Sequence, residues 1–332
     1  MQIEGPRRET ALESNPSVLD TGTPAVVDSA LLRRLNFSKR QGSAGGSIAS
    51  DLAPYLFLLP ACSLIGAFVL YPMLHALAAS LTDYNMITDS RFVGINNYKM
   101  LLQDPFFWNS LKNTLLYLLV VVPVLVIAPI FLALLVNKSI PGVKLFRAIF
   151  YLPVITSLVV TGLIWKWVYE EQGILNYFLL SSGITDDPVA FLTEPANALF
   201  SVMAVTIWTG LGYYMVIYLA GLQSIPKHLY EAAEVEGVSS WRQTLFITIP
   251  MLKPSIAVVA VMSSIAAMKV FEEVYVMTQG GPLDATKTLV YFIYQTAFEE
   301  FEMGYASAAG VVLFLLTLIL SMINLFLLRK DR

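Results

Sequence analysis

A single cysteine, Cys62, stands in 332 residues, which excludes an internal disulfide and leaves that side chain most simply a small buried hydrophobe. Two histidines, His75 and His228, are too few for a histidine-rich metal site. Neither Gly-x-Ser-x-Gly nor His-Glu-x-x-His occurs, so the common nucleophile and zinc motifs are missing. The run "GGPLDATKT" stops short of a phosphate-binding loop, because Thr286 stands where a second glycine is required. The chain itself is therefore expected to have no enzymatic activity and no cofactor, and no nucleic-acid partner is expected. Charge is scarce as well. Only 14% of residues are charged, against roughly 25% in soluble domains.

Apolar residues, by contrast, make up 56% of the chain. Six runs approach the roughly 20 residues needed to cross a bilayer: about 52–80, 112–136, 147–169, 199–221, 254–277 and 305–328. The expected fold is an all-α integral membrane protein with six transmembrane helices. Prolines inside or near these runs (Pro54, Pro60, Pro72, Pro123, Pro129 and Pro153) imply kinks whose freed carbonyls find partners in neighbouring helices or a water-lined cavity. Residues 1–48 are polar, lack the apolar stretch of a cleavable signal, and read as a disordered tail before a membrane-spanning region 49–332. Within the tail, "LLRRLNFSKR" (Leu31 to Arg40) fits either a short basic amphipathic helix on an anionic membrane face or a solvated segment.

The positive residues set the orientation. They gather in the tail (Arg33, Arg34, Lys39, Arg40), the second connection (Lys138, Lys144, Arg147), the fourth (Lys227, Arg242, Lys253) and the C-terminus (Arg329, Lys330, Arg332). The third connection holds Glu170, Glu171, Asp186, Asp187 and Glu194 without one Lys or Arg. The positive-inside rule then places both termini and the fourth connection in the cytoplasm, although Arg91 and Lys99 in the first outer loop run against it.

The fourth connection, about 224–252, contains "EAAEVEGVSSWRQTLFITIP", Glu231 to Pro250, with three glutamates in six residues. Pro226 suits a helix start, and "PKHLYEAAEVE" continues with strong helix formers. Leu229, Ala232, Ala233 and Glu236 share one face with small groups, while Glu231 and Glu234 project from neighbouring faces. Gly237 can take the left-handed conformation that ends a helix. "SWRQ" (Ser240 to Gln243) fits a capping box opening a second helix. The pattern reads either as an ordinary helical hairpin or as a rigid corner that presents carboxylates to another protein.

Ionisable and polar residues within the spans are candidates for a solute path. Lys269 with Glu272 and Glu273 has i, i+3, i+4 spacing, which serves equally a self-neutralised cluster or a solute-facing one. Thr206, Trp208, Thr209, Gly210, Tyr213 and Tyr214 give the fourth span hydroxyls and aromatic faces, suited to a sugar or to helix–helix packing. Lys166, between Trp165 and Trp167, is placed to snorkel at an interface.

The spacing Glu-Ala-Ala, three residues, Gly237, nine residues, Ile247, one residue, an apolar residue and Pro250 resembles the coupling loop of permease subunits in binding-protein-dependent ABC importers. Ile249 stands where leucine is usual. "YLPVITSLVVTGLIWKWVYEEQGILN" and "EEVYVMTQGGPLDATKTLVYFIYQTAFEEFEMGYASA" resemble the maltose-type sugar permeases, and the matches extend over most of residues 54–328. The resemblance implies a bacterial inner (plasma) membrane subunit in which Glu231, Ala232, Ala233, Glu234 and Gly237 dock on an ATPase. It implies two such ATPase subunits holding ATP and Mg, a second permease subunit (a non-identical homologue), and an extracytoplasmic solute-binding protein that delivers a small-molecule solute, all in membrane lipid. It also places the sugar-lining positions on Thr206, Thr209, Gly210, Ser263, Ala267 and Val270. Ala267 and Val270 lack the amides of a maltose site, so another sugar, a sugar alcohol or a glycosylated compatible solute is expected. Two other functions fit the same spans: a secondary transporter or channel without an ATPase, and a membrane scaffold without a continuous solute cavity.

Overall fold

An apolar run in hydrocarbon must satisfy its backbone polar groups internally, which leaves helix as the local solution. The computed structural model describes residues 48–86, 90–138 and 141–329, with side chains between 54 and 326. The tail and its Leu31 to Arg40 segment lie outside the described residues. The chain divides into two units, residues 1–63 and 64–332, each described by itself.

In the first unit, residues 48–63 are helical and open α1 (Ile48–Ile65). Every described side chain there is exposed. Cys62 is among them, which corrects the expectation of burial. On an apolar helix of this kind the surrounding medium is lipid, so a weakly polar thiol needs no protein core.

The second unit continues through a π-helical turn, Gly66–Leu70, into α2 (Tyr71–Ala79). After α3 (Asn96–Gln103) comes α4 (Pro105–Val136), 32 residues long. It starts seven residues before the expected 112 because Asp104 caps it. The Asp104 carboxylate accepts a hydrogen bond from the Phe106 N–H at 2.8 Å, and Pro105 occupies the first turn, where a missing N–H costs nothing.

The expected third span is broken. It consists of α5 (Val143–Ile155) and α6 (Leu158–Val168), bent by 100°. Pro153 near the end of α5 and the extended backbone of Thr156 account for the break. A short α7 (Ile174–Ser181) leads to α8 (Pro195–Gln223), which is unbroken. The fourth connection holds α9 (Lys227–Val235), α10 (Ser240–Gln243), a π-helical turn Thr244–Thr248, and α11 (Ile249–Met251), bent 66° from α12 (Lys253–Met268).

The expected fifth span, 254–277, is also corrected. It unwinds over Lys269–Phe271 and resumes as α13 (Glu272–Met277). Lys269 and the two glutamates therefore do not share a continuous helix face. The chain ends with α14 (Leu289–Phe298) and α15 (Met303–Arg329). Among the described residues, four helices are long and apolar enough to cross a membrane, or up to six if each bent pair is one crossing. No strand occurs among the described residues beyond one isolated bridge, Thr82 to Phe92.

Helix α4 is the centre of the packing and touches α8, α12 and α14. A large apolar cluster includes Tyr117 and Val121 from α4, Val202 and Met215 from α8, and Val259 from α12. A second, with Leu101, Phe107, Leu289 and Ala308, joins α3, α4, α14 and α15. The tightest approach is between α5 and α8. A β-carbon on Gly212 would lie 1.9 Å from the Phe150 carbonyl oxygen, a backbone atom that no rotamer change can move.

Gly212→Ala is therefore expected to destabilise the purified protein in detergent by about 1–3 kcal/mol. Gly310→Ala in α15 is the control. Nothing lies within 4 Å of its added carbon, so gaining helix propensity makes it neutral or stabilising by about 0.5–1 kcal/mol. Equal thermal midpoints for the two variants would refute the close α5–α8 contact.

Candidate functional site

The unwound segment Lys269–Phe271 borders a cavity of about 260 Å³. Irregular backbone is tolerated at membrane depth where it is buried in protein or lines a cavity, and here Val270 is buried while the segment borders the cavity. The freed carbonyl of Val270 accepts a hydrogen bond from the Thr288 hydroxyl at 3.0 Å, from a residue with no solvent exposure. Thr114 on α4 accepts from the Leu289 N–H at 2.8 Å. Asn113 on α4 donates to the carbonyls of Asp284 and Lys287, both at 3.0 Å. The break is thus bound to α4 by polar side chains buried for the purpose.

Of the residues singled out from sequence, Thr206, Ser263, Lys269 and Glu272 line this cavity, together with Ala267, Val270 and Glu273. Lys269 and Glu272 are exposed to it, and Glu273 is buried. Among the described residues Lys269 forms no ion pair with either glutamate, so the cluster is not self-neutralised. The Thr206 hydroxyl instead donates to Glu273 Oε1 at 3.1 Å and shares a short hydrogen bond with the Tyr117 hydroxyl. This Tyr117–Thr206–Glu273 chain ties α4, α8 and α13 together at the cavity wall.

Ser263 is placed differently from Thr206. Its hydroxyl donates back to the Val259 carbonyl of its own helix at 2.7 Å, and only 1% of the residue is exposed. Thr209 likewise bonds back to Val205 and Thr206 carbonyls. Gly210 serves packing, since an added β-carbon would meet Leu125 at 2.8 Å. Trp208 lines another cavity with Trp165 and Thr161, and Tyr213 packs edge-on against Tyr214. Tyr117 escaped the sequence reading; a phenol inside an apolar run was its only signal, and its partner Thr206 lies 89 positions away.

The fourth connection forms the expected helix, corner and helix. Gly237 has φ +71°. The Val238 N–H bonds to the Ala233 carbonyl at 2.9 Å and the Gly237 N–H to Glu234 at 3.0 Å, a complete Schellman motif. The expected capping box is corrected. Ser239, not Ser240, is the N-cap, and the Gln243 amide donates to the Val238 carbonyl at 3.0 Å. Gln243 braces the corner from the other side, so no side chain caps α10. Glu231, Ala232, Glu234 and Gly237 are exposed, whereas Ala233 is buried. Leu229 and Tyr230 pack on the main apolar cluster, and the Tyr230 hydroxyl meets Thr248 Oγ1 at 2.9 Å. One face of α9 is anchored and the carboxylates face outward.

Residues 104–330 match the family described as binding-protein-dependent transport system inner membrane component. The lactose transport system permease protein LacF of Rhizobium radiobacter is 37% identical over 287 residues, covering 85% of this chain and 96% of the relative. The arabinooligosaccharides permease protein AraP of Bacillus subtilis is 33% identical, covering 92% and 95%. A crystal structure of a bacterial ABC transporter that imports the acidic polysaccharide alginate superposes with a TM-score of 0.73 at 27% identity, covering 85% of this chain and 97% of that one. The chain belongs to the family of inner-membrane permease components of binding-protein-dependent importers. It is a non-enzymatic transport subunit, and this membership decides against an ion-gradient carrier, a channel or a scaffold.

Replacing Thr206 by Val removes the hydroxyl between Tyr117 and a buried carboxylate, and is expected to cost about 1–3 kcal/mol of stability. Ser263→Ala removes only a hydrogen bond back to its own helix, and its cost is expected to stay below about 0.5 kcal/mol. Thermal denaturation of the purified variants checks the difference; equal losses would show that Thr206 holds nothing together.

Proposed function

We propose that this permease conducts a neutral, hydroxyl-rich solute of the carbohydrate class, and that ATP hydrolysis in separate partner subunits drives it through the Glu231–Gly237 corner. The observation that carries the reading is the cavity at the break in the fifth span. Polar residues Thr206, Lys269 and Glu272 line it, with Ser263 and Glu273, among apolar neighbours such as Val121, Leu125 and Leu158. Such a mixture suits a solute with an apolar ring face and many hydroxyls. Its volume of about 260 Å³ is small against the roughly 300–1,000 Å³ of complete ligand pockets. That shortfall fits a site shared with a second, homologous permease subunit. Lactose and arabino-oligosaccharides, named for relatives of this chain, are the first solutes to test, with the anionic sulfoquinovosyl glycerol named for a third relative as the contrast.

In this arrangement both termini and residues 224–252 face the cytoplasm, and the tail 1–48 is a cytoplasmic extension. Glu231, Ala232, Ala233, Glu234 and Gly237 seat in one of two ATPase subunits, which bind ATP and Mg. An extracytoplasmic solute-binding protein loads the cavity from the other face. ATP binding must favour the outward-open state differentially, since docking equally tight in both states would shift nothing.

Glu231→Lys reverses an exposed charge on the anchored helix and is expected to weaken recovery of the ATPase with the permease from detergent, leaving insertion and folding intact. Undiminished recovery would remove Glu231 from the contact. A β-carbon on Gly237 would meet no atom within 4 Å, so the cost expected of Gly237→Val is the backbone strain of a β-branched residue at positive φ, about 1–2 kcal/mol. In reconstituted complexes it is expected to lower ATPase stimulation by the loaded binding protein and solute uptake together. If both rates remained at wild-type values, the corner would be linkage only.

A further inference from the structure

We propose that a second cavity, beside the end of α6, is a binding station for a neutral carbohydrate at the outer mouth of the permease, distinct from the Thr206–Lys269 cavity. The proposal rests on the carbohydrate and orientation readings above. This cavity is the larger of the two, about 640 Å³, within the range of complete ligand pockets. Three chain segments wall it: 166–172, which runs out of the last turn of α6, 190–193 before α8, and 277–282, which begins at the last residue of α13.

Each wall is held by buried polar side chains. Asn176, with no solvent exposure, donates to the carbonyls of Glu170 at 3.1 Å and Val189 at 3.0 Å and accepts from the Val189 N–H at 2.8 Å. Ser201 donates to the Phe191 carbonyl at 2.9 Å. Thr286 donates to the Gly281 carbonyl at 2.8 Å and meets the Thr278 hydroxyl at 2.8 Å. Burying such groups fixes backbone that could otherwise move freely, and preorganised walls are what a binding site requires.

The groups facing the cavity are left over from this scaffolding. Lys166, Glu170, Glu171 and Gln172 are exposed. Lys166 and Glu170 have the i, i+4 spacing of a helix ion pair, yet among the described residues they form none. Carboxylates accept from neighbouring hydroxyls, while the ammonium and amide donate to ring and hydroxyl oxygens. Phe191, Leu192 and Pro282 supply an apolar wall for the C–H face of a sugar ring. Two carboxylates against one ammonium disfavour an acidic sugar. The cavity is also well placed for transfer. It lies at the C-terminal ends of α6 and α13, whereas Leu158 and Glu272, near the opposite ends of those helices, line the inner cavity. The two helices pack together, so one rigid pair links the two stations.

The test uses the full transporter in lipid nanodiscs, without binding protein, with lactose and arabinotriose as probes and a membrane-impermeant acetylating reagent read by mass spectrometry. Millimolar probe is expected to slow acetylation of Lys166 and leave exposed Lys99 unaffected. The isosteric Glu170→Gln, Glu171→Gln double variant is expected to lose this protection, with probe affinity about tenfold weaker for two lost charge-assisted hydrogen bonds. If the wild type takes up a probe in proteoliposomes but Lys166 is never protected, the outer station is refuted and the carbohydrate function stands. If neither probe is taken up or bound, the carbohydrate reading falls and this site falls with it. If instead the double variant fails to capture the solute-binding protein, loaded or empty, while sugar protects nothing, the cavity is a protein contact and the proposal is overturned.

Discussion

Interrupting a helix inside a membrane strands backbone groups where no bulk water can reach them, and much of this fold is arranged around that cost. The fifth span unwinds at Lys269–Phe271, and the Thr288 hydroxyl takes up the Val270 carbonyl. Thr288 sits at the start of α14, whose first N–H is taken by Thr114 of α4, with Asn113 holding the loop before it. The same loop buries Lys287 against Asp284 at 2.7 Å and over the Phe106 ring. An unpaired ammonium at that depth would be costly, and the pair keeps the loop in register with α4. Asn113, Thr114 and Thr288 are buried polar residues that serve this one break in the backbone.

The break also provides the cavity. Once the backbone turns aside, Lys269 and Glu272 point into open space, and Thr206 approaches Glu273 across the gap between α8 and α13. A continuous helix over 254–277 would have carried all three ionisable groups on neighbouring faces of one rod. Helix α12, 16 residues or about 24 Å long, joins this break to the bend beside α11. The Glu231–Gly237 corner is pinned next to that bend through Tyr230 and Thr248. In the proposed mechanism a push on α9 reaches the cavity along one stiff element rather than through a chain of flexible loops. Rigidity at the corner comes from the Schellman bonds and the Gln243 brace, both backbone-directed and independent of any partner.

Small residues have a complementary role. Gly212 admits the α5 backbone and Gly210 admits Leu125, so α8 is gripped closely from two sides, beside the Thr206–Tyr117 and Tyr218–Val126 hydrogen bonds. Lipid-exposed helices gain little from burying apolar area against each other, and close van der Waals contact is what remains. This explains why glycine on α8 reads as a candidate for a sugar path yet is used for packing.

The sequence by itself determined the all-helical membrane class, the family, the Gly237 corner and the residues around it. Hydropathy and turn chemistry are local properties, and the coupling-loop spacing survives as contiguous text. It also singled out Thr206, Ser263, Lys269 and Glu272, four residues that do meet at one cavity. Only tertiary structure decided where the spans break. The backbone of Lys269–Phe271 leaves the helix inside an apolar run and stands because residues distant in sequence, Thr288, Thr114 and Asn113, hold it. Tertiary structure likewise separated Thr206, whose hydroxyl bridges three helices, from Ser263, whose hydroxyl turns back on its own. Both are small hydroxyl residues in apolar runs, and no local pattern distinguishes a side chain that faces another helix from one that faces its own carbonyls.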